Sequence, residues 1–153
     1  MSFSLTTFGG HGDTGTLTVM PAVVKPLLAV FVGGILGSAA RIGITLVAGK
    51  FDEYWWPYPT LIINLVGSFV LGYLVGHGMN AIPAWMRLGV TTGFLGAFTT
   101  LSAISLDVAV PVVRHGFGPL LVMGSYAIGS IVLGLVCAIA GLRLGTRRSR
   151  ADA

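Results

Sequence analysis

Gly93-Phe94-Leu95-Gly96-Ala97-Phe98-Thr99-Thr100-Leu101-Ser102 lies at the centre of an apolar run, where a membrane-crossing helix should be most regular. Two glycines and then two consecutive β-branched threonines disfavour a regular helix there. The segment therefore favours a break. Unwound backbone at membrane depth is tolerated only where it is buried in protein or lines a cavity, and there it exposes carbonyls to a cation and amides to an anion. The competing arrangement is an unbroken helix whose threonine hydroxyls bond back to the preceding turn.

Outward from this stretch, the run it belongs to, about 88–110, is the third of four, the others covering about 27–47, 60–75 and 120–144. Each is close to the ~20 residues that a spanning helix requires. With 54% hydrophobic and 9% charged residues, 23 glycines and a mean hydropathy of +0.89, the chain is too apolar for a soluble enzyme of 153 residues. Four spans leave no room for a separate catalytic domain. The expected architecture is all-α, with a membrane domain over 25–145, a flexible Gly/Thr/Ser-rich tail over 1–24 and a basic tail over 146–153. The first tail has no basic n-region and no continuous apolar core, so it does not read as a signal peptide. Between the first two spans, Lys50–Pro59 gathers Tyr54, Trp55, Trp56 and Tyr58, the aromatic belt of a headgroup-level loop. Small residues four apart, such as Gly33/Gly37, Gly72/Gly76, Gly89/Gly93, Ser125/Gly129 and Ser130/Gly134, permit close helix approach in lipid.

Polar side chains within spans must face protein, water or a solute. Thr60, Asn64 and Ser68 recur every fourth residue on the second span, and Tyr126 and Ser130 do so on the fourth. Both interhelical hydrogen bonding and a polar track for a solute fit these stripes. The net charge of +4 reflects loop charge of a membrane protein and not nucleic-acid binding. The lone Cys137 precludes an internal disulfide, and His11, His77 and His115 lack metal-ligand spacing. No nucleophile and base pair is evident, so an enzyme is not expected. Asp107 is the only acid within any span. A proton-coupled antiporter of organic cations, of the small multidrug type, would need a deep carboxylate in the first span, which has none.

Three ordered segments resemble the Fluc/CrcB fluoride channel family, and the similarity covers about residues 27–145. They are Gly33-Gly34-Ile35-Leu36-Gly37-Ser38-Ala39-Ala40-Arg41, similar to GGxxGxxxR; Thr60-Leu61-Ile62-Ile63-Asn64-Leu65-Val66-Gly67-Ser68-Phe69, similar to TLxxNxxGSF; and Thr92 to Asp107, similar to TGFxGxxTTFSTFSxE. The resemblance implies a four-helix subunit with its third helix broken at the midplane, assembled as an antiparallel dual-topology dimer with two narrow fluoride pathways and a central sodium ion. It further implies sodium ligation by the backbone carbonyls of Gly96 and Thr99. Thr60, Asn64, Ser102, Tyr126 and Ser130 fall on the family's pore-lining polar positions, and Arg41 on its vestibule arginine. Leu101 and Ile104 stand where the family has phenylalanines, whose electropositive ring edges face the anion. The motif's glutamate is shortened to Asp107.

Lys25, Arg87, Arg143, Arg147, Arg148 and Arg150 fall on the side of the termini, with Lys50 and Arg114 opposite. This bias predicts both termini in the cytoplasm and one fixed orientation in the cell membrane. A chain held one way needs an oppositely inserted partner, so a heterodimer with a second Fluc-like subunit is favoured over a homodimer. The functional expectation is a subunit exporting fluoride passively. The alternative that Leu101 and Ile104 raise is a non-conducting structural subunit that completes a paralogue's pore.

Overall fold

The computed structural model describes residues 15–48, 57–79 and 82–152. All regular structure among them is helical: α1 (Gly15–Ala48), α2 (Tyr58–His77), α3 (Ala84–Leu88), a π-helical segment (Gly89–Leu95), α4 (Gly96–Phe98), α5 (Leu101–His115) and α6 (Leu120–Ala151). Four stretches are long and apolar enough to cross a membrane: Val23–Ala48, Tyr58–His77, Ala84–His115 and Leu120–Ala151.

Several boundaries depart from the sequence expectation. Residues 15–24, expected as part of a flexible tail, belong to α1. Extending an existing helix gains a hydrogen bond for each residue fixed and avoids the cost of nucleation. The expected basic tail likewise continues α6 as far as Ala151, with Arg148 and Arg150 in the last turn, where cations meet the negative end of the helix. The third span passes through Pro111 and ends at His115. That proline removes the donor that would bond the Asp107 carbonyl, a loss helices in membranes tolerate when neighbours compensate. Residues 1–14 and most of the expected aromatic loop lie outside the described residues.

Small residues set the packing. A Cβ on Gly33 would meet the Gly89 carbonyl oxygen, and one on Gly37 the Phe94 carbonyl oxygen, so α1 lies parallel and backbone to backbone with the π-helical segment. In the same way Gly72 and Gly76 abut the carbonyls of Ala138 and Leu142, while Gly141 and Gly145 abut those of Phe69 and Tyr73. α2 and α6 thus run parallel and form the most extensive helix pair of the fold. Because lipid is as apolar as leucine, this close van der Waals fit holds the helices together. A small core of Leu61, Ile104 and Tyr126 links α2, α5 and α6. Most large apolar side chains of α1 and α6 face outward, as they should in a bilayer.

Candidate functional site

Helical dihedrals end at Phe98. Thr99 (φ −78°, ψ 151°) and Thr100 (φ −154°, ψ 124°) are extended, and α5 starts at Leu101. Two local devices shape this turn. Thr99 closes the preceding helix, with both its N–H and its hydroxyl donating to the Leu95 carbonyl at 3.0 and 2.9 Å. Thr100 opens the next one as an N-cap, its Oγ1 accepting from the Ala103 N–H at 3.2 Å. Gly67 of α2 makes room for the turn, since a Cβ there would collide with the Thr99 methyl.

Asn64 grips the turn from α2. Its Nδ2 donates to the Thr100 carbonyl at 3.0 Å, and its Oδ1 accepts from the Thr100 N–H at 2.7 Å. The side-chain amide thus pairs with Thr100 as a neighbouring strand would. Removing it would leave two backbone groups unpaired, at a cost of about 1–3 kcal/mol for each that is buried.

The expected site residues fall into two compartments that meet at Thr100. The larger is a groove of about 470 Å³ that includes Asn64, Ser68, Gly96, Thr99, Leu101, Ile104 and Ser130 in its lining. Leu101 is 66% exposed, whereas Ile104 is 6% exposed and belongs to the core. Ser130 is buried one turn after Tyr126. The smaller compartment, about 290 Å³, includes Arg41, Thr60, Thr100 and Asp107 in its lining. There the fully buried Tyr126 hydroxyl donates to Asp107 Oδ2 at 3.0 Å, and Thr60 stands beside the same carboxylate. The Arg41 Nε is buried without a hydrogen-bond partner among the described residues. Ser102 sits at the start of α5, its Oγ 3.0 Å from Thr100 Oγ1. Thr60 and Tyr126 are therefore grouped on Asp107, with Ser130 beside Tyr126 one turn along α6.

Phe94 and Phe98 stack on each other with ring centroids 5.8 Å apart, and neither lines the larger groove. Among the described residues no three His, Cys, Asp or Glu side chains could hold a metal. Hard oxygen ligands are present as backbone: Gly96 and Thr99 line one groove at the end of α4, where the regular ladder of hydrogen bonds stops. That donor set suits an alkali cation held by carbonyls. The role of Thr100 as cap and hub was missed by sequence reasoning. A threonine directly before an apolar stretch of helical period was the available signal.

A sequence model described as "CrcB-like protein, Camphor Resistance (CrcB)" matches residues 28–142, covering all four spans. The chain belongs to the CrcB family. Among its relatives, the Nitrobacter hamburgensis protein named "Fluoride-specific ion channel FluC 2" is 42% identical over 121 residues, 76% of this chain and 94% of that protein. "Fluoride-specific ion channel FluC" of Phenylobacterium zucineum is 36% identical over 127 residues, covering 81% and 98%. "Fluoride-specific ion channel FluC 2" of Halalkalibacterium halodurans is 33% identical over 135 residues, covering 86% and 96%. This CrcB family is one of ion channels and not of enzymes, and four apolar helices make its member here a multi-pass membrane protein.

Proposed function

We propose that the chain is one subunit of a passive fluoride export channel of the cell membrane, with both termini cytoplasmic, its third span broken at the midplane and its pathway completed by an oppositely inserted second subunit. The turn at Thr99–Thr100 carries the proposal. It sets the carbonyl end of α4 and the amide end of α5 side by side, so one short stretch offers partial negative charge to a cation and partial positive charge to an anion. Fluoride is small and strongly hydrated, and a narrow pathway must replace its water with donors. The hydroxyls of Thr60, Ser102 and Ser130 and the remaining N–H of the Asn64 amide are such donors, with the Arg41 guanidinium at the Asp107 compartment, while the Tyr126 hydroxyl donates to Asp107.

Gly96 and Thr99 would hold a sodium ion through their carbonyls, joined by the same pair from a partner, and the ion would add a fixed positive field beside the pathway. The groove they line is walled by outward-facing Leu101, Ile131 and Leu135, a surface that a second subunit would cover. The numbered names FluC 1 and FluC 2 carried by relatives accord with a paralogous partner. A second reading, a non-conducting subunit that completes a paralogue's pore, is favoured by Leu101 and Ile104, which bring no ring edge to the groove.

Fluoride efflux from liposomes, followed with a fluoride electrode, tests the assignment. The chain reconstituted with its paralogue should release fluoride and not chloride, and Asn64→Asp should cut the rate by placing negative charge on the track. Undiminished fluoride efflux through Asn64→Asp would count against it.

A further inference from the structure

We propose that Asn64 is a positioning residue that holds the third span open and thereby leaves the Gly96 carbonyl free to bind a cation. The proposal rests on the sodium reading above and adds to it the device that makes the ligand. In a continuous helix, the N–H of Thr100 would bond the carbonyl of Gly96, four residues before it. Here that N–H donates to Asn64 Oδ1 at 2.7 Å instead. The N–H one residue earlier, on Thr99, is bonded to Leu95. The two donors that would close on Gly96 in an α- or 3₁₀-helical turn are thus committed elsewhere, and Gly96 lines the groove. The second arm of the clamp, Asn64 Nδ2, donates to the Thr100 carbonyl at 3.0 Å, and Thr100 is extended.

The clamp lies between two elements, so it also couples them. Asn64 is buried in α2, which is locked to α6 by glycine contacts, and the turn cannot slide without dragging on that pair. An outer partner that orients a metal ligand in this way commonly changes affinity by about 10- to 100-fold when it is removed.

The two arms can be separated. Asn64→Asp keeps an acceptor for the Thr100 N–H and sets a carboxylate oxygen where the donor to its carbonyl stood, whereas Asn64→Leu loses both at similar volume. The full chain, purified in detergent without sodium, is titrated with sodium chloride against N-methylglucamine chloride while its unfolding midpoint is followed. The wild-type midpoint should rise with sodium. Asn64→Leu should raise the half-saturating sodium concentration about 10- to 100-fold, and Asn64→Asp should not weaken sodium binding although its fluoride flux falls. Labelling with carbonyl-13C glycine and 15N-alanine, which picks out the Gly96–Ala97 peptide, gives a readout independent of the ion: the Gly96 carbonyl shift should move in Asn64→Leu, as the Thr100 N–H closes on it, and stay as in the wild type in Asn64→Asp. Unchanged sodium half-saturation in Asn64→Leu, or equal loss in both variants, would overturn the proposal. A Gly96 carbonyl shift that is the same in the wild type and Asn64→Leu would overturn the clamp itself. A wild-type chain indifferent to sodium would instead overturn the sodium reading, and the ligand role of Gly96 with it.

Discussion

Leu101 and Ile104 occupy the positions at which the family resemblance expects aromatic rings, yet their surroundings differ. Leu101 is 66% exposed at the mouth of the groove, and Ile104 is 6% exposed against Leu61 and Tyr126. Leu101→Phe therefore has space within the subunit, and should leave the thermal midpoint of the purified chain on its own unchanged, while raising fluoride flux in the assembled channel by presenting a ring edge. Ile104→Phe must displace core neighbours and should destabilise by about 1–3 kcal/mol, read as a lower midpoint. If Leu101→Phe leaves flux unaltered, the pathway lined by this chain is closed for another reason, and the structural-subunit reading gains. Asn64 makes the same point about context. The sequence places it on a polar stripe, but its amide is largely spent on the backbone of Thr100.

Among the elements, the α2–α6 pair bears most of the interhelical packing. Gly141 faces the Phe69 carbonyl so closely that a single methyl has no room, whereas Gly34 on α1 has nothing nearby. Gly141→Ala should cost about 1–3 kcal/mol and broaden the elution of the purified protein, with Gly34→Ala behaving as wild type. Equal midpoints for the two variants would mean that the pair does not hold the subunit together. The third span shows the opposite strategy. Its first half contains the π-helical segment Gly89–Leu95, seated on the glycines of α1, and its second half starts afresh from the Thr100 cap, with an extended pair between them. Local under-winding of this kind recurs at functional positions in helices.

For the whole molecule, orientation is the open degree of freedom. The four spans alternate in direction, so Lys25, Arg87, Arg143, Arg147, Arg148 and Arg150 share one end. The arginines of the C-terminal segment follow the apolar part of α6 on the same helix, and charge within about 15–20 residues of a span end acts on topology. A thiol reagent that cannot cross the membrane should label a cysteine placed at the C-terminus from the cytoplasmic side only. Replacing Arg147, Arg148 and Arg150 together by Gln should produce labelling from both sides. Equal labelling from both sides in the wild type would remove the argument for an obligate second subunit.

Spans, their number and their lipid-facing composition were legible in the sequence because hydropathy and length act locally and need no knowledge of neighbours. The small-residue spacing likewise announced close helix packing. Helix ends were less legible: α1 and α6 run well past the apolar stretches, since propagation and end charges decide a boundary that hydropathy does not record. The partners of the polar groups were not legible at all. Thr60 with Tyr126 on Asp107, and Asn64 on Thr100, are pairs brought together across different helices. A hydrogen bond depends on distance and direction in three dimensions, and a stripe on one helix carries no record of which neighbour will face it. The sequence by itself therefore determined a four-span membrane protein with donors at fixed depths, and only the tertiary structure decided which of those donors remain available to an ion.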